Sequence, residues 1–215
     1  MIVERYINEL MTSNCYIVVD KVSKSCVVID PGSEKSLREI KYINTRGLKP
    51  DYIIITHEHT DHNWGVNALR EAFPDIKLVC SVECSKHIAK ANKAYFLFYY
   101  DDPTYSYEVE PADILIKGQI NHLTWRDHDI EFMFTPGHSF GSMCVIIENM
   151  LFTGDTIMPY PPYFNGRDSN EEDWEASIKI VESLVAPEAI VYPGHGEQLS
   201  LKKWLENNRF VFVKK

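Results

Sequence analysis

Apolar residues fall into short runs separated by polar turns. Ile2–Ile7, Cys15–Asp20 and Cys26–Ile29 are rich in Ile and Val and predict three strands. Asp30-Pro31-Gly32 closes the third with turn chemistry. Leu37, Ile40 and Ile43 at helical spacing predict a helix capped by Ser33 and stopped by Gly47. Tyr52–Ile55 is continuously apolar, which predicts a buried rather than an amphipathic strand. Asn63–Phe73 reads as a helix ended by Pro74, and Ile76–Cys80 as the next strand, giving β-β-β-α-β-α-β. Ile120–Trp125 and Asp129–Phe134 predict a hairpin, and Met143–Ile147 and Met150–Phe152 two more strands. Glu171–Leu184 carries Trp174, Ile178 and Val181 on one face and predicts a helix capped by Asp168 or Ser169. Ala189–Tyr192 reads as a strand, Leu199–Asn208 as a short helix, and Arg209–Lys215 as a weak edge strand. No repeat or low-complexity linker divides the chain, so the pattern predicts one α/β domain over residues 1–215.

Residues 81–118 differ in character. Val82–Lys93 is compatible with a helix, and Ala94–Tyr107 then holds seven aromatics in fourteen residues. A packed surface helix or a homodimer contact accounts for such a stretch. So does a flap that gives an apolar wall and phenol hydroxyls to a substrate.

Polar chemistry gathers where strands end. Thr56 ends the run Tyr52–Ile55, and His57, His59, Asp61 and His62 follow within six residues. Burying such a cluster without a cation to pair it is costly. Alternate residues of an extended chain share a face, which predicts His57, His59 and Asp61 together, with His62 turned toward a neighbouring point. Imidazole nitrogen and carboxylate oxygen suit zinc, with iron or manganese as alternatives. Three later strand ends repeat the theme. His138 lies in the Gly-rich loop Thr135–Ser142, Asp155 follows Thr153-Gly154, and His195 sits in Pro193-Gly194-His195-Gly196. Seven ligand-type residues suffice for two divalent ions, one carboxylate bridging. His87, His122 and His128 have no such company and read as structural or exposed.

The net charge of −9, from 31 acidic and 22 basic residues, disfavours a broad nucleic-acid or anionic-membrane footprint. Five scattered cysteines read as buried hydrophobes of a reducing compartment. No signal peptide or membrane-length apolar run is seen, so the expected location is cytoplasmic, with no membrane partner.

The combination His57-x-His59-x-Asp61-His62, Thr135-Pro136-Gly137-His138-Ser139-x-Gly141-Ser142, Leu151-Phe152-Thr153-Gly154-Asp155 and Tyr192-Pro193-Gly194-His195-Gly196 resembles the metallo-β-lactamase-fold superfamily. Its small glyoxalase II-like hydrolases are the branch most similar. Asp30-Pro31-Gly32 matches a turn common there. The resemblance implies a four-layer αβ/βα sandwich of two mixed sheets flanked by helices. It implies one metal on His57, His59 and His138, a second on Asp61, His62 and His195, and Asp155 bridging. Histidine at 59 points to hydrolysis rather than oxygen or NO reduction, and aspartate at 155 points away from antibiotic hydrolysis. About twenty residues follow His195, where glyoxalase II carries a helical extension that binds glutathione, so glutathione thioesters are not the expected substrate. Gly166-Arg167 matches a pair seen in small thioesterase and sulfur-dioxygenase relatives.

The implied reaction is attack of a metal-activated water on an ester, thioester or lactone carbonyl of a small molecule, with Asp61 orienting the nucleophile or moving its proton. Tyr160, Tyr163, Arg167, Tyr99 and Tyr105 are the candidate substrate contacts. The alternative is a mononuclear iron persulfide dioxygenase. Phosphodiesterase or nuclease activity, or a non-enzymatic metal module, stands behind both.

Overall fold

The computed structural model describes residues 1–88, 105–162, 164 and 167–208. They form two compact units, Met1–Leu115 and Ile116–Lys215. In the first, β1 (Ile2–Ile7), β2 (Asn14–Asp20), β3 (Ser25–Ile29), β4 (Lys49–Ile54), β5 (Lys77–Ser81) and β6 (Ile114–Ile116) lie in that order across one sheet. The first three strands meander antiparallel, and β3, β4 and β5 run parallel. The continuous apolar run at the end of β4 follows from this position. Ile53 and Ile54 pair with Val28 and Ile29 on one side and with Leu78 and Val79 on the other. Both are fully buried, and each such burial contributes roughly 1.5–3 kcal/mol.

Among the described residues the helices of this unit are α1 (Leu37–Arg46), α2 (Thr60–Asn63), α3 (Val66–Ala72) and α4 (Val82–Ile88). Gly47 ends α1 in the left-handed conformation, as its sequence position predicts. Ser33 is not the cap of α1. That position falls to Ser36, itself left-handed and making no side-chain cap bond, while the Ser33 hydroxyl bonds Asn8 and the Glu9 amide. The helix expected over Asn63–Phe73 is α3, which starts only at Val66 and is set off from the separate turn α2. Gly65 stands between the two, donates to the Pro31 carbonyl at 2.7 Å, and has no room for a β-carbon against Ser36 and Ser33.

In the second unit, β7 (Ile120–Trp125), β8 (His128–Phe134), β9 (Met143–Ile147), β10 (Met150–Gly154), β11 (Ile190–Pro193) and β12 (Leu199–Ser200) form another six-stranded sheet. It is antiparallel except for the β10–β11 pair. Helix α5 (Glu171–Leu184) buries Trp174, Ile178 and Val181 on Met133, Leu151 and Val191, joined by Trp204 and Leu205 of α6 (Leu201–Asn208). The cap of α5 is Asn170, whose side chain accepts from the Asp173 amide at 3.0 Å, rather than Asp168 or Ser169. Leu199 and Ser200 pair with β11, so the last helix starts later than its apolar pattern suggests.

Two mixed sheets, each with helices, thus match the expected α/β class. The five cysteines are buried thiols. Among the described residues no helix is long and apolar enough to cross a membrane. The expected helix beyond Ile88, most of the aromatic stretch and the strand at 209–215 lie outside the described residues.

Candidate metal centre

The first donor set is built on the end of β4. The Asp30 amide donates to the Ile54 carbonyl at 3.0 Å, which brings its carboxylate to the chain just past the strand. Asp30 accepts the Thr56 amide at 2.8 Å on one oxygen and the Thr56 hydroxyl at 2.7 Å on the other. Since that hydroxyl proton is committed to the carboxylate, the Thr56 oxygen accepts from Nδ1–H of His57, 3.1 Å away. Asp30 also takes Nδ1–H of His62 at 3.0 Å. Both imidazoles are therefore fixed in the tautomer that presents the Nε2 lone pair, the form a metal-ligating histidine needs.

Past His57 the chain departs from the extended path expected of it. His59 is extended, but Thr60–Asn63 coil into α2, so Asp61 and His62 sit on one short helical turn. The turn still gathers the donors. The His57 ring centroid lies 4.6 Å from that of His59 and 4.1 Å from that of His62, and His62 Nε2 is 3.5 Å from an Asp61 oxygen. His57, Asp61 and His62 are buried. The Asp61 carbonyl is held in turn, accepting from the Ser13 hydroxyl at 2.5 Å and the Asn8 amide at 3.4 Å.

The second donor set belongs to the other unit. The His138 loop leaves β8 and is fastened to α5. Asn170 N donates to the Gly137 carbonyl and Ser177 Oγ to that of Pro136, each at 2.7 Å. Gly137 has φ near 131° and lies against the Trp174 backbone, with no space for a β-carbon. Asp155 follows β10 and His195 follows β11, and the two strand ends are tied by Gly194 N donating to the Gly154 carbonyl at 2.7 Å. The segment after Asp155 is pinned by two indoles. Trp174 donates to Thr156 O and Trp204 to Met158 O, both at 2.8 Å.

One oxygen of Asp155 then stands 3.5 Å from Nε2 of His138 and 3.4 Å from Nε2 of His195. Ligands bonded at about 2.1 Å in a tetrahedral shell are roughly 3.4 Å apart. The spacing fits imidazoles and a carboxylate able to hold an ion between them, with a single carboxylate oxygen facing two imidazoles. Neutral nitrogen and carboxylate oxygen in both sets suit zinc and, with less preference, iron or manganese.

Of the expected substrate contacts, Tyr160 is half exposed and Arg167 exposed. Tyr105 donates to Glu34 at 2.6 Å and accepts from the Trp64 indole at 3.0 Å. Tyr99, Tyr163 and Gly166 lie outside the described residues. His122 and His128 meet Glu131 and Glu148 instead. The sequence reading missed Asp30, which looks like an ordinary turn residue, and also Thr56, Ser13 and Asn8. The one signal that pointed to Asp30 was the Asp30-Pro31-Gly32 turn shared with the superfamily, since its local pattern is that of any turn aspartate.

A family profile described as the metallo-beta-lactamase superfamily matches residues 9–195. The chain is 26% identical over 213 residues to the probable polyketide biosynthesis zinc-dependent hydrolase BaeB of Bacillus velezensis, covering 97% of this chain and 85% of that protein. It is 27% identical over 140 residues to the hydroxyacylglutathione hydrolase of Klebsiella pneumoniae, covering 65% of this chain and 45% of that one. The crystal structure of the BLEG-1 B3 metallo-beta-lactamase superposes with a TM-score of 0.85 at 24% identity, over 98% of this chain and 99% of that one. This last likeness is one of fold.

Proposed function

Because the chain belongs to the metallo-beta-lactamase superfamily, we propose that it is a metal-dependent hydrolase of a small-molecule thioester, ester or lactone, with a dinuclear, zinc-type centre. In this reading His57, His59 and His138 hold one ion, Asp61, His62 and His195 the other, and Asp155 serves both. The observation that carries it is the single Asp155 oxygen 3.5 and 3.4 Å from two imidazole nitrogens. The names of the relatives support the reading, a zinc-dependent hydrolase for the metal and the reaction and a hydroxyacylglutathione hydrolase for the acyl substrate.

Bound ions of this kind supply hydroxide near neutral pH by lowering the pKa of water from about 15.7. The protein's own share is placement. Asp30 and Thr56 keep Nε2 of His57 and His62 unprotonated. Ser13 and Asn8 hold Asp61 by its carbonyl, leaving its carboxylate to orient the nucleophile and take its proton. Tyr160 and Arg167 are the described side chains assigned to the substrate.

The test is metal analysis of protein purified without added zinc, joined to a screen of acyl thioesters, esters, lactones and phosphodiesters. Two ions per chain and chelator-sensitive cleavage of an acyl substrate are expected. Turnover of phosphodiesters alone, or one iron per chain with oxygen uptake on a persulfide, overturns the proposal.

A further inference from the structure

Residues 105–113 run as a strap along α2 and α3, bonded at every turn. The Trp64 indole donates to Tyr105, Asn67 to the Glu108 carbonyl at 2.8 Å, and Arg70 to the Glu110 carbonyl at 3.1 Å and the Asp113 carboxylate at 2.8 Å. Tyr105 and Tyr107 also pack on the buried pair Leu10 and Trp64. One bond of the strap reaches the metal-binding loop itself. The Tyr107 hydroxyl donates to Asn63 Oδ1 at 2.6 Å, and Asn63 Nδ2 donates to the carbonyls of Glu58 at 2.9 Å and His59 at 2.8 Å.

The three bonds define each other. With both Nδ2 hydrogens on carbonyls, Oδ1 is the acceptor and the phenol must donate. Desolvation raises the Tyr107 pKa far above the ordinary phenol value, so the proton stays in place. The carbonyls gripped by Asn63 belong to the residues between His57 and Thr60, where the chain turns into α2. A four-residue helix does not hold itself in shape, because nucleation costs more than one turn returns. Something outside must fix the angle between His57 and His59 on one side and Asp61 and His62 on the other. Asn63 closes that turn, and Tyr107 sets the direction of Asn63.

We propose that Tyr107 and Asn63 are positioning residues of the metal-binding loop, so that the strap at 105–113 governs metal affinity. The inference rests on the metal centre proposed above but not on the choice of substrate.

Tyr107→Phe keeps the ring and removes the hydroxyl, including its bond to Asn63. Asn63→Asp keeps the acceptor for Tyr107 and removes the two donated bonds. Each should weaken zinc binding, read by competition with a chromophoric chelator, by about tenfold or more, within the roughly 10–100-fold range for groups that orient ligands. The double variant should lose little more than Asn63→Asp alone, since the two act through one amide. The melting temperature of the metal-stripped protein separates this from plain support of the fold, and should stay near the wild-type value in Tyr107→Phe. Unchanged zinc affinity in both variants overturns the inference, and so does a loss of affinity matched by unfolding of the metal-stripped protein. A wild-type protein that hydrolyses no acyl substrate, while Tyr107→Phe loses zinc affinity, sinks the substrate reading and upholds this one. Acyl hydrolysis by the wild type with unchanged zinc binding in the variants does the reverse.

Discussion

Asp30 Oδ2 lies 3.0 Å from Nδ1 of His62, a contact across 32 residues between a turn after β3 and the helical turn that carries two of the proposed ligands. The same carboxylate accepts the Thr56 amide and hydroxyl, so one buried charge sets two imidazole tautomers. Asp30→Asn isolates that role, because asparagine tolerates the left-handed backbone that Asp30 adopts at φ near 53°. The amide cannot accept from Thr56 and His62 with both of its ends. Zinc affinity should fall by roughly 10–100-fold, measured by chelator competition, with the far-ultraviolet circular dichroism unchanged. Wild-type affinity in this variant would show that the histidines orient themselves.

Gly32→Ala should damage fold and site together. A β-carbon at Gly32 would overlap the Asp61 carbonyl and crowd the Asn8 amide, so the loop holding Asp61 has to move. Overpacking of this kind costs about 1–3 kcal/mol, which for a chain this long lowers the melting temperature by roughly 2–12 °C. Zinc affinity should drop as well. Gly47→Ala is the control. Gly47 is left-handed, and nothing lies within 4 Å of a β-carbon there. That variant should lose about 1–2 kcal/mol of stability and no zinc affinity. Equal zinc loss in both variants contradicts the argument.

What the sequence makes legible follows from where each interaction lies along the chain. The run Tyr52–Ile55 announces a central strand because both neighbours of β4 are parallel and apolar, a condition written into four consecutive residues. The ligand-type residues are equally plain, since each follows an apolar strand. Caps are harder. Asp168, Ser169 and Asn170 are three adjacent polar residues, and only the backbone angles decide that Asn170 accepts from Asp173. Asp30 and Tyr107 are harder still. Their partners Thr56 and Asn63 lie 26 and 44 residues away, and no local pattern distinguishes a turn aspartate or one tyrosine among many. The late start of the expected helix, after Gly65, has the same origin, in the Pro31 carbonyl that Gly65 approaches.

Asp155→Ala is the most damaging single change expected at the centre. Its carboxylate faces both His138 and His195, so its loss should affect both ions in the proposed arrangement. Elemental analysis should give fewer than two metals per chain. Hydrolysis of whichever acyl substrate the wild type accepts should fall at least about a hundredfold, the upper end for groups that merely orient ligands. Trp174 and Trp204 hold the following segment by backbone carbonyls, so the loop itself should survive. Two metals per chain with full activity would remove Asp155 from the bridging position.

Glu39 predicts a pH dependence of stability that does not depend on the metal. It is buried in the first turn of α1, and among the described residues its carboxylate oxygens reach no hydrogen-bond partner beyond its own amide. Desolvation raises its pKa, with Glu9 adding to the rise and the Glu39 amide and Arg38 opposing it; Tyr6 and Cys15 also feel its charge. A carboxyl whose folded pKa exceeds its unfolded value of about 4.3 binds more protons in the folded state. Its contribution to stability is therefore fully present below the unfolded pKa and is lost as pH rises through the folded one. Glu39→Gln cannot ionise and escapes that loss. In urea titrations of the metal-stripped protein, the variant should be more stable than wild type at pH 8, and the gap should close on acidification toward pH 4. Glu39→Met, which removes the buried polar group altogether, should be at least as stable as Glu39→Gln at every pH. A gap that stays constant from pH 4 to pH 8 would mean that Glu39 does not change its charge on folding, and that its burial is tolerated for another reason.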